Sequence, residues 1–197
     1  MSATFTEATH QYVEDGVVLP SVTQVLTLSG ITDVSAVPAA ILARAAQIGS
    51  AVHQACHFLD EDDLDLMTLD SGIVGYVLAY QRFKEKTGFV PKLIEHRGIG
   101  QCRGIRFGYC LDRIGDIGDD SVLIDLKTST KPWPSWQIQT AAYCEGYGHE
   151  GPRMAVHCHK DGTFDILPHN DEADFLVWKD CLGIAWWKMT HGFKVPR

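Results

Sequence analysis

Asp125 and Lys127 stand two residues apart in Val122-Leu123-Ile124-Asp125-Leu126-Lys127-Thr128-Ser129, an otherwise apolar run. In an extended strand, positions two apart share a face. The carboxylate and the amine therefore project into one pocket, while Ile124 and Leu126 project into the opposite layer. Taken alone, the pair reads equally well as a structural ion pair, whose desolvation cancels much of its attraction, and as a reactive site. Two further acids change the weighting. Asp112 closes the strand-like run Gly108-Tyr109-Cys110-Leu111-Asp112, and Glu95 interrupts Leu93-Ile94-Glu95-His96. Three successive β-prone segments thus carry one acid each, and neighbouring strands lie about 4.8 Å apart. Acids at matching levels can converge on one oxygen-ligated cation, Mg²⁺ or Mn²⁺, and such an ion explains why buried carboxylates tolerate one another.

These residues need a scaffold, and the sequence predicts a mixed one. Asp15-Gly16 between short β-prone runs marks a hairpin over His10–Pro20. Ser21 can N-cap a short helix ending near Gly30, and Pro38 opens a longer helix to about Leu59, with Ile41, Ala45, Ile48, Val52 and Cys56 at helical spacing. The acidic run Glu61–Asp65 reads as a solvated linker. A third helix fits Ser71 to Lys86, stopped by Gly88. Strands follow over about Val90–Arg97, Gly104–Ile114 and Ser121–Lys127, with Gly115–Asp120 as the turn before the last of them. The loop Lys131-Pro132-Trp133-Pro134 leads to a helix from Ser135 to about Gly146. A hairpin, Met154–His159 with Thr163–Leu167, precedes a C-terminal helix from Asp171 to Thr190. There is no GxGxxG or GxxxxGK[ST] phosphate loop, and the element order describes an α/β sandwich around a mixed sheet.

At this point a resemblance becomes specific. Asp112, then Asp125-Leu126-Lys127, then Gln139-Thr140-Ala141-Ala142-Tyr143 resembles, in order, the motifs of the PD-(D/E)XK nuclease superfamily, and the Q-x-x-x-Y helix points to its RecB-like exonuclease branch. Gly49-Ser50-Ala51-Val52-His53 is similar to that branch's G-x-x-x-H helix. The opening, His10 through Tyr12 with Gly16 and Pro20-Ser21-Val22-Thr23, is similar to small phage-encoded members. The resemblance covers residues from about 10 to 143. It implies a restriction-endonuclease-like α/β core, with a central mixed β-sheet flanked by helices, in a single nuclease domain over residues 1–197. It also implies a Mg²⁺- or Mn²⁺-dependent deoxyribonuclease, an exonuclease acting on DNA ends or single strands in repair or recombination.

Carried over residue by residue, the resemblance makes Asp112, Asp125 and the Leu126 carbonyl metal ligands, with Glu95 as a further acidic ligand and His53 reaching the same centre. Lys127 would orient or help deprotonate the attacking water. Gln139 and Tyr143, one helical turn apart, would buttress the site or touch DNA. Trp136, with Trp133, reads either as a stacking platform for bases or as packing for the loop. One departure stands out. The family places a glycine three residues before the motif aspartate, where this chain has Tyr109, with Gly108 one position further back.

The 197-residue chain carries a formal net charge of −8, which argues against broad wrapping of nucleic acid but leaves room for a narrow acidic cleft. No apolar stretch is long enough to span a bilayer and the N-terminal residues do not form a signal peptide, so no membrane partner is expected and the cytoplasm is the expected compartment. The six cysteines form no CxxC pair and read as buried free thiols. Cys144, Cys158 and Cys181 are spread too widely for the clustered trio of an iron–sulfur site. His157-Cys158-His159 reads as a hairpin strand rather than a metal site. A second functional reading is a catalytically silent nuclease-like module that binds DNA ends or a recombination or single-strand-binding partner. Part of the apolar stripe of the last helix could serve as an oligomer contact.

Overall fold

The computed structural model describes residues 3–6 and 11–193. Strands β1 (Ala3–Thr6), β2 (Gln11–Glu14) and β3 (Val17–Leu19) form a small antiparallel sheet, with β2 and β3 turning at Asp15-Gly16, both at positive φ. His10 of the predicted opening lies outside the described residues. Helix α1 (Val22–Ser29) begins in a complete capping box: the Ser21 hydroxyl accepts from the Gln24 amide and the Gln24 side chain accepts from the Ser21 amide. It stops at Gly30, left-handed at φ 89°. Helix α2 (Ala39–Asp60) and α3 (Val74–Thr87) follow, the latter starting three residues after the predicted Ser71 and ending at left-handed Gly88.

The central sheet has the order β4 (Val90–Cys102), β5 (Ile105–Ile117), β6 (Asp120–Lys127), β7 (Arg153–Cys158) and β8 (Phe164–Pro168). Only the β6–β7 pair is parallel, because α4 (Ser135–Tyr147) carries the chain back across the sheet between them. The sheet is therefore mixed and flanked by helices, as the sequence predicts. The strands run longer than expected. β4 continues past Arg97 to a tight turn at Arg103-Gly104, both at positive φ, and β5 runs on through Gly115-Asp116-Ile117 to Gly118-Asp119.

Two apolar layers enclose this sheet. On one face α1, α4 and α5 (Ala173–Thr190) cover Phe107, Tyr109, Leu111 and Leu123 with Val25, Ile138, Trp178 and Leu182. On the other, α2 and α3 cover Ile124, Leu126 and Val156 with Val52, Cys56, Val77, Tyr80 and Phe83. Helix α2 takes part only from Ile48 onward. Ile41 is exposed, and the buried residues of the helix are Val52, Ala55 and Cys56, so the first turns of that predicted apolar stripe lie outside the core. In α5, Trp178, Leu182 and Ala185 are buried whereas Ile184 and Trp186 are exposed. All six cysteines are free thiols, Cys110 alone being half-buried.

Among the contacts that dock the N-terminal hairpin on the sheet, which include the Arg106–Glu14 ion pair at 2.6 Å, one demands glycine. Tyr12 packs its ring against Gly108, where a Cβ would overlap the ring, while the Gly108 amide donates to Pro20 O at 2.9 Å. That docking accounts for a glycine at 108 with Tyr109 beside it.

Candidate active site

The site forms where β5 and β6 part. The two strands pair from Ile117↔Asp120 up to Arg113↔Ile124, and the next pair in that register would be Asp112 with Asp125. There the ladder stops, and the Asp112 side chain completes it: Oδ2 accepts the Leu126 amide at 2.7 Å. On the other side, Glu95 falls opposite Asp112 in the β4–β5 register, between Ile94↔Arg113 and His96↔Leu111. Glu95 adopts a left-handed backbone, φ 48°, which costs a residue with a side chain on the order of 1–2 kcal/mol. β5 also turns over here, since Leu111 packs toward α1, α4 and α5 while Arg113 reaches Asp60 on the other side of the sheet. Glu95 and the β5 stretch at Asp112 thus both depart from regular strand geometry at the level of the acids.

α2 supplies the next group. Val52, Ala55 and Cys56 anchor the helix, which leaves His53 facing the acids. Its Nδ1 is 3.4 Å from Glu95 Oε1 and 3.5 Å from Asp112 Oδ1, and its Nε2 is 3.2 Å from the Leu126 carbonyl. A carbonyl only accepts, so Nε2 carries the proton of that bond and Nδ1 faces the two carboxylates. Burial works against the imidazolium, but Asp112 and Glu95 outweigh it and raise the His53 pKa. Donor atoms of His53, Glu95 and Asp112 all lie within 4.8 Å of one another. One imidazole and two carboxylates, with a backbone carbonyl beside them, suit a hard or borderline divalent ion.

Asp125 sits next to that set rather than in it. It is 1% exposed, and its Oδ2 lies 2.5 Å from Lys127 Nζ. Burial pushes its carboxyl up to about 6; Lys127 opposes the rise and Asp112 adds to it. Lys127 also donates to Gln139 Oε1 at 2.9 Å, and Gln139 donates to the Tyr143 hydroxyl at 2.6 Å. Asp125 and Asp112, after burial itself, raise the Tyr143 hydroxyl far above the ordinary range, so it stays protonated. Lys127 Nζ lies 5.7 Å from the centre of the Trp136 ring. Trp136 is buried and packs edge-on to His157, so its ring supports the lysine instead of facing an incoming base; Trp133 is the exposed one of the pair.

Four residues of the site are absent from the motif reading. Arg113 is fully buried and donates to Asp60 at 2.9 Å and to Glu95 Oε1 at 3.1 Å. Asp60, the last residue of α2, also accepts from Tyr80 at 3.0 Å and Lys84 at 2.8 Å. This network fixes Glu95 from behind: burial disfavours its charge, yet His53 and Arg113 pull its carboxyl down to about 2. An arginine directly after Asp112 in a strand of apolar residues is the signal that could have revealed it.

Two cavities share Arg97 in their linings, and the first of them also takes in Glu95. One, of about 560 Å³, is lined by Ser50, His53, Gln54, His57 and Phe58. The other, of about 460 Å³, is lined by Tyr12, Ser21, Thr23, Gln24, Thr27 and Tyr143.

No protein-family model matches this sequence, and no curated protein matches it. Among solved structures, the chain is similar to SSO0001, at 17% identity and a TM-score of 0.40, over 71% of this chain and 74% of that one. It is also similar to a protein of Eubacterium rectale named "Putative exonuclease", at 15% identity and a TM-score of 0.49, over 75% of this chain and 65% of that one.

Proposed function

We propose that this protein is a metal-dependent nuclease that hydrolyses phosphodiester bonds of DNA, an exonuclease of the RecB-like type that its ordered motifs resemble. The observation that carries the reading is the alignment of Glu95, Asp112 and Asp125 on three neighbouring strands, with His53 above them and Lys127 against Asp125. His53, Glu95, Asp112, Asp125 and the Leu126 carbonyl would hold Mg²⁺ or Mn²⁺, which supplies an activated water and neutralises charge on the leaving oxygen.

The chain's own residues do the rest. Asp125 and Gln139 fix Lys127 Nζ at the mouth of the site, where an ammonium orients a water and offsets negative charge gathering on the phosphoryl oxygens. Tyr143, kept as a neutral phenol, holds Gln139 in place. Arg113 keeps Glu95 ionised and aimed forward. The cavity lined by His53, Glu95 and Arg97 is where a strand of DNA would approach the acids.

The test is incubation of purified protein with end-labelled linear DNA and Mn²⁺ or Mg²⁺. Cleavage that requires the ion and disappears in Asp125→Ala and Lys127→Ala supports the proposal. Absence of metal-dependent cleavage favours the silent DNA-end-binding module, and cleavage unchanged in both variants removes this site from the chemistry.

A further inference from the structure

At the far edge of the central sheet, the β7–β8 hairpin gathers a second set of donors. His157 and Asp165 face each other across the β7–β8 pair, and His159 follows two residues after His157 on the same side. The two imidazole rings lie 4.4 Å apart, His159 Nε2 is 2.9 Å from Asp165 Oδ2, and one donor atom from each of the three residues falls within 4.8 Å of the others.

The buried member is set up as a ligand. His157 is 1% exposed, and its Nε2 donates to the Ser129 carbonyl at 2.5 Å. A carbonyl cannot donate back, so Nδ1 carries the lone pair, and Nδ1 has no hydrogen-bond partner. An unpaired buried nitrogen is costly unless something uses it. Imidazoles that bind metals commonly donate their other N–H to a backbone carbonyl, which fixes the tautomer and the ring. The frame is rigid as well: the His159 amide donates to Thr163 O at 2.9 Å, and Asp161 accepts from the Thr163 amide at 3.0 Å to close the turn.

We propose that His157, His159 and Asp165 form a second metal site, specific for a nitrogen-preferring transition ion of the Zn²⁺ class rather than for Mg²⁺. Two imidazoles and one carboxylate are a common Zn²⁺ donor set, with a water to complete the tetrahedron. Bonds of about 2.0–2.1 Å hold tetrahedral donors roughly 3.3 Å apart, so the His159–Asp165 pair has to open by only a few tenths of an ångström. Loading the site locks His157 against Ser129 in the segment after Lys127, and against Trp136, whose ring lies beside the Lys127 amine. The site therefore braces the strand end that presents Lys127, whatever reaction that lysine serves.

Co²⁺ titration of the chelator-treated, full-length protein, followed by visible absorption, tests this. Nitrogen-rich, four-coordinate Co²⁺ should give a ligand-field band that Zn²⁺ bleaches. His159→Gln/Asp165→Asn, both outside the core, should lose that band or weaken binding by roughly tenfold or more, with circular dichroism unchanged. Asp112→Asn, at the other centre, should keep it. No band in the wild type, a band of unchanged affinity in His159→Gln/Asp165→Asn, or its loss in Asp112→Asn would each overturn the proposal and leave His159 and Asp165 as a surface ion pair.

Discussion

Replacing Asp125 by Asn removes a charge from a position that is 1% exposed and close to a second carboxylate. Burial lifts this carboxyl from its ordinary 3.8 to about 6, net of the opposing pull of Lys127 and the added push of Asp112. Each unit corresponds to about 1.36 kcal/mol, so ionised Asp125 weighs against folding by roughly 3 kcal/mol near neutral pH. The folded-state pKa is the higher one. The stability of the neutral form is therefore fully present below about pH 4 and is lost as pH rises through about 6. Asparagine stays neutral and still offers Lys127 an acceptor. In the presence of chelator, urea denaturation should find Asp125→Asn more stable than the wild type by about 3 kcal/mol at about pH 7.5. The gain should shrink as pH falls below about 6 and nearly vanish at about pH 4. DNA cleavage should be absent throughout. An equal or lower stability near neutral pH, or a difference that ignores pH, would refute the reasoning.

Glu95→Gln should act with the opposite sign. Because His53 and Arg113 hold the carboxyl down at about 2, its charge contributes stability above about pH 4.5 that is lost as pH falls through 2; the variant should be destabilised by about 1–3 kcal/mol near neutral pH, with the gap closing on acidification. Arg113→Met strands Asp60 and Glu95 as buried acids without their guanidinium partner and should cost about 3–5 kcal/mol in denaturant titrations; a loss under about 1 kcal/mol would mean the network is not structural. Gly108→Ala places a methyl group into the Tyr12 ring and should cost about 1–3 kcal/mol, with increased proteolysis of the N-terminal hairpin as its sign. Lys127→Ala should lower single-turnover cleavage by about 10²–10⁴-fold while leaving Mn²⁺ affinity within a few fold.

The strands and helices were readable because their patterns are local: the Ser21 cap, the Gly30 and Gly88 stops and the Asp15-Gly16 turn each specify one backbone conformation through a neighbouring residue or two. So was the pairing of Asp125 with Lys127, which depends only on the two-residue period of a strand. What lay beyond the pattern depends on contacts between distant segments. The Arg113–Asp60 pair joins a strand to a helix end 53 positions away; an arginine in an apolar strand signals that a buried partner exists, but not that the partner is Asp60. Ile41 keeps helical spacing but lies exposed, since periodicity records which face a helix would bury and not how far its neighbour extends. His157 and His159 share a face by the same period that unites Asp125 and Lys127. Their third donor, Asp165, arrives only through the β8 register.

The central claim is that the acids on β4, β5 and β6 hold a divalent ion for chemistry that Lys127 completes. Calorimetric titration with Mn²⁺, run beside DNA cleavage on the same preparations, addresses it in one comparison. Saturable binding in the wild type, lost in Asp112→Asn and retained in Lys127→Ala, with cleavage confined to the wild type, is the predicted pattern. Mn²⁺ binding that survives Asp112→Asn unchanged, or DNA cleavage that does, would contradict it.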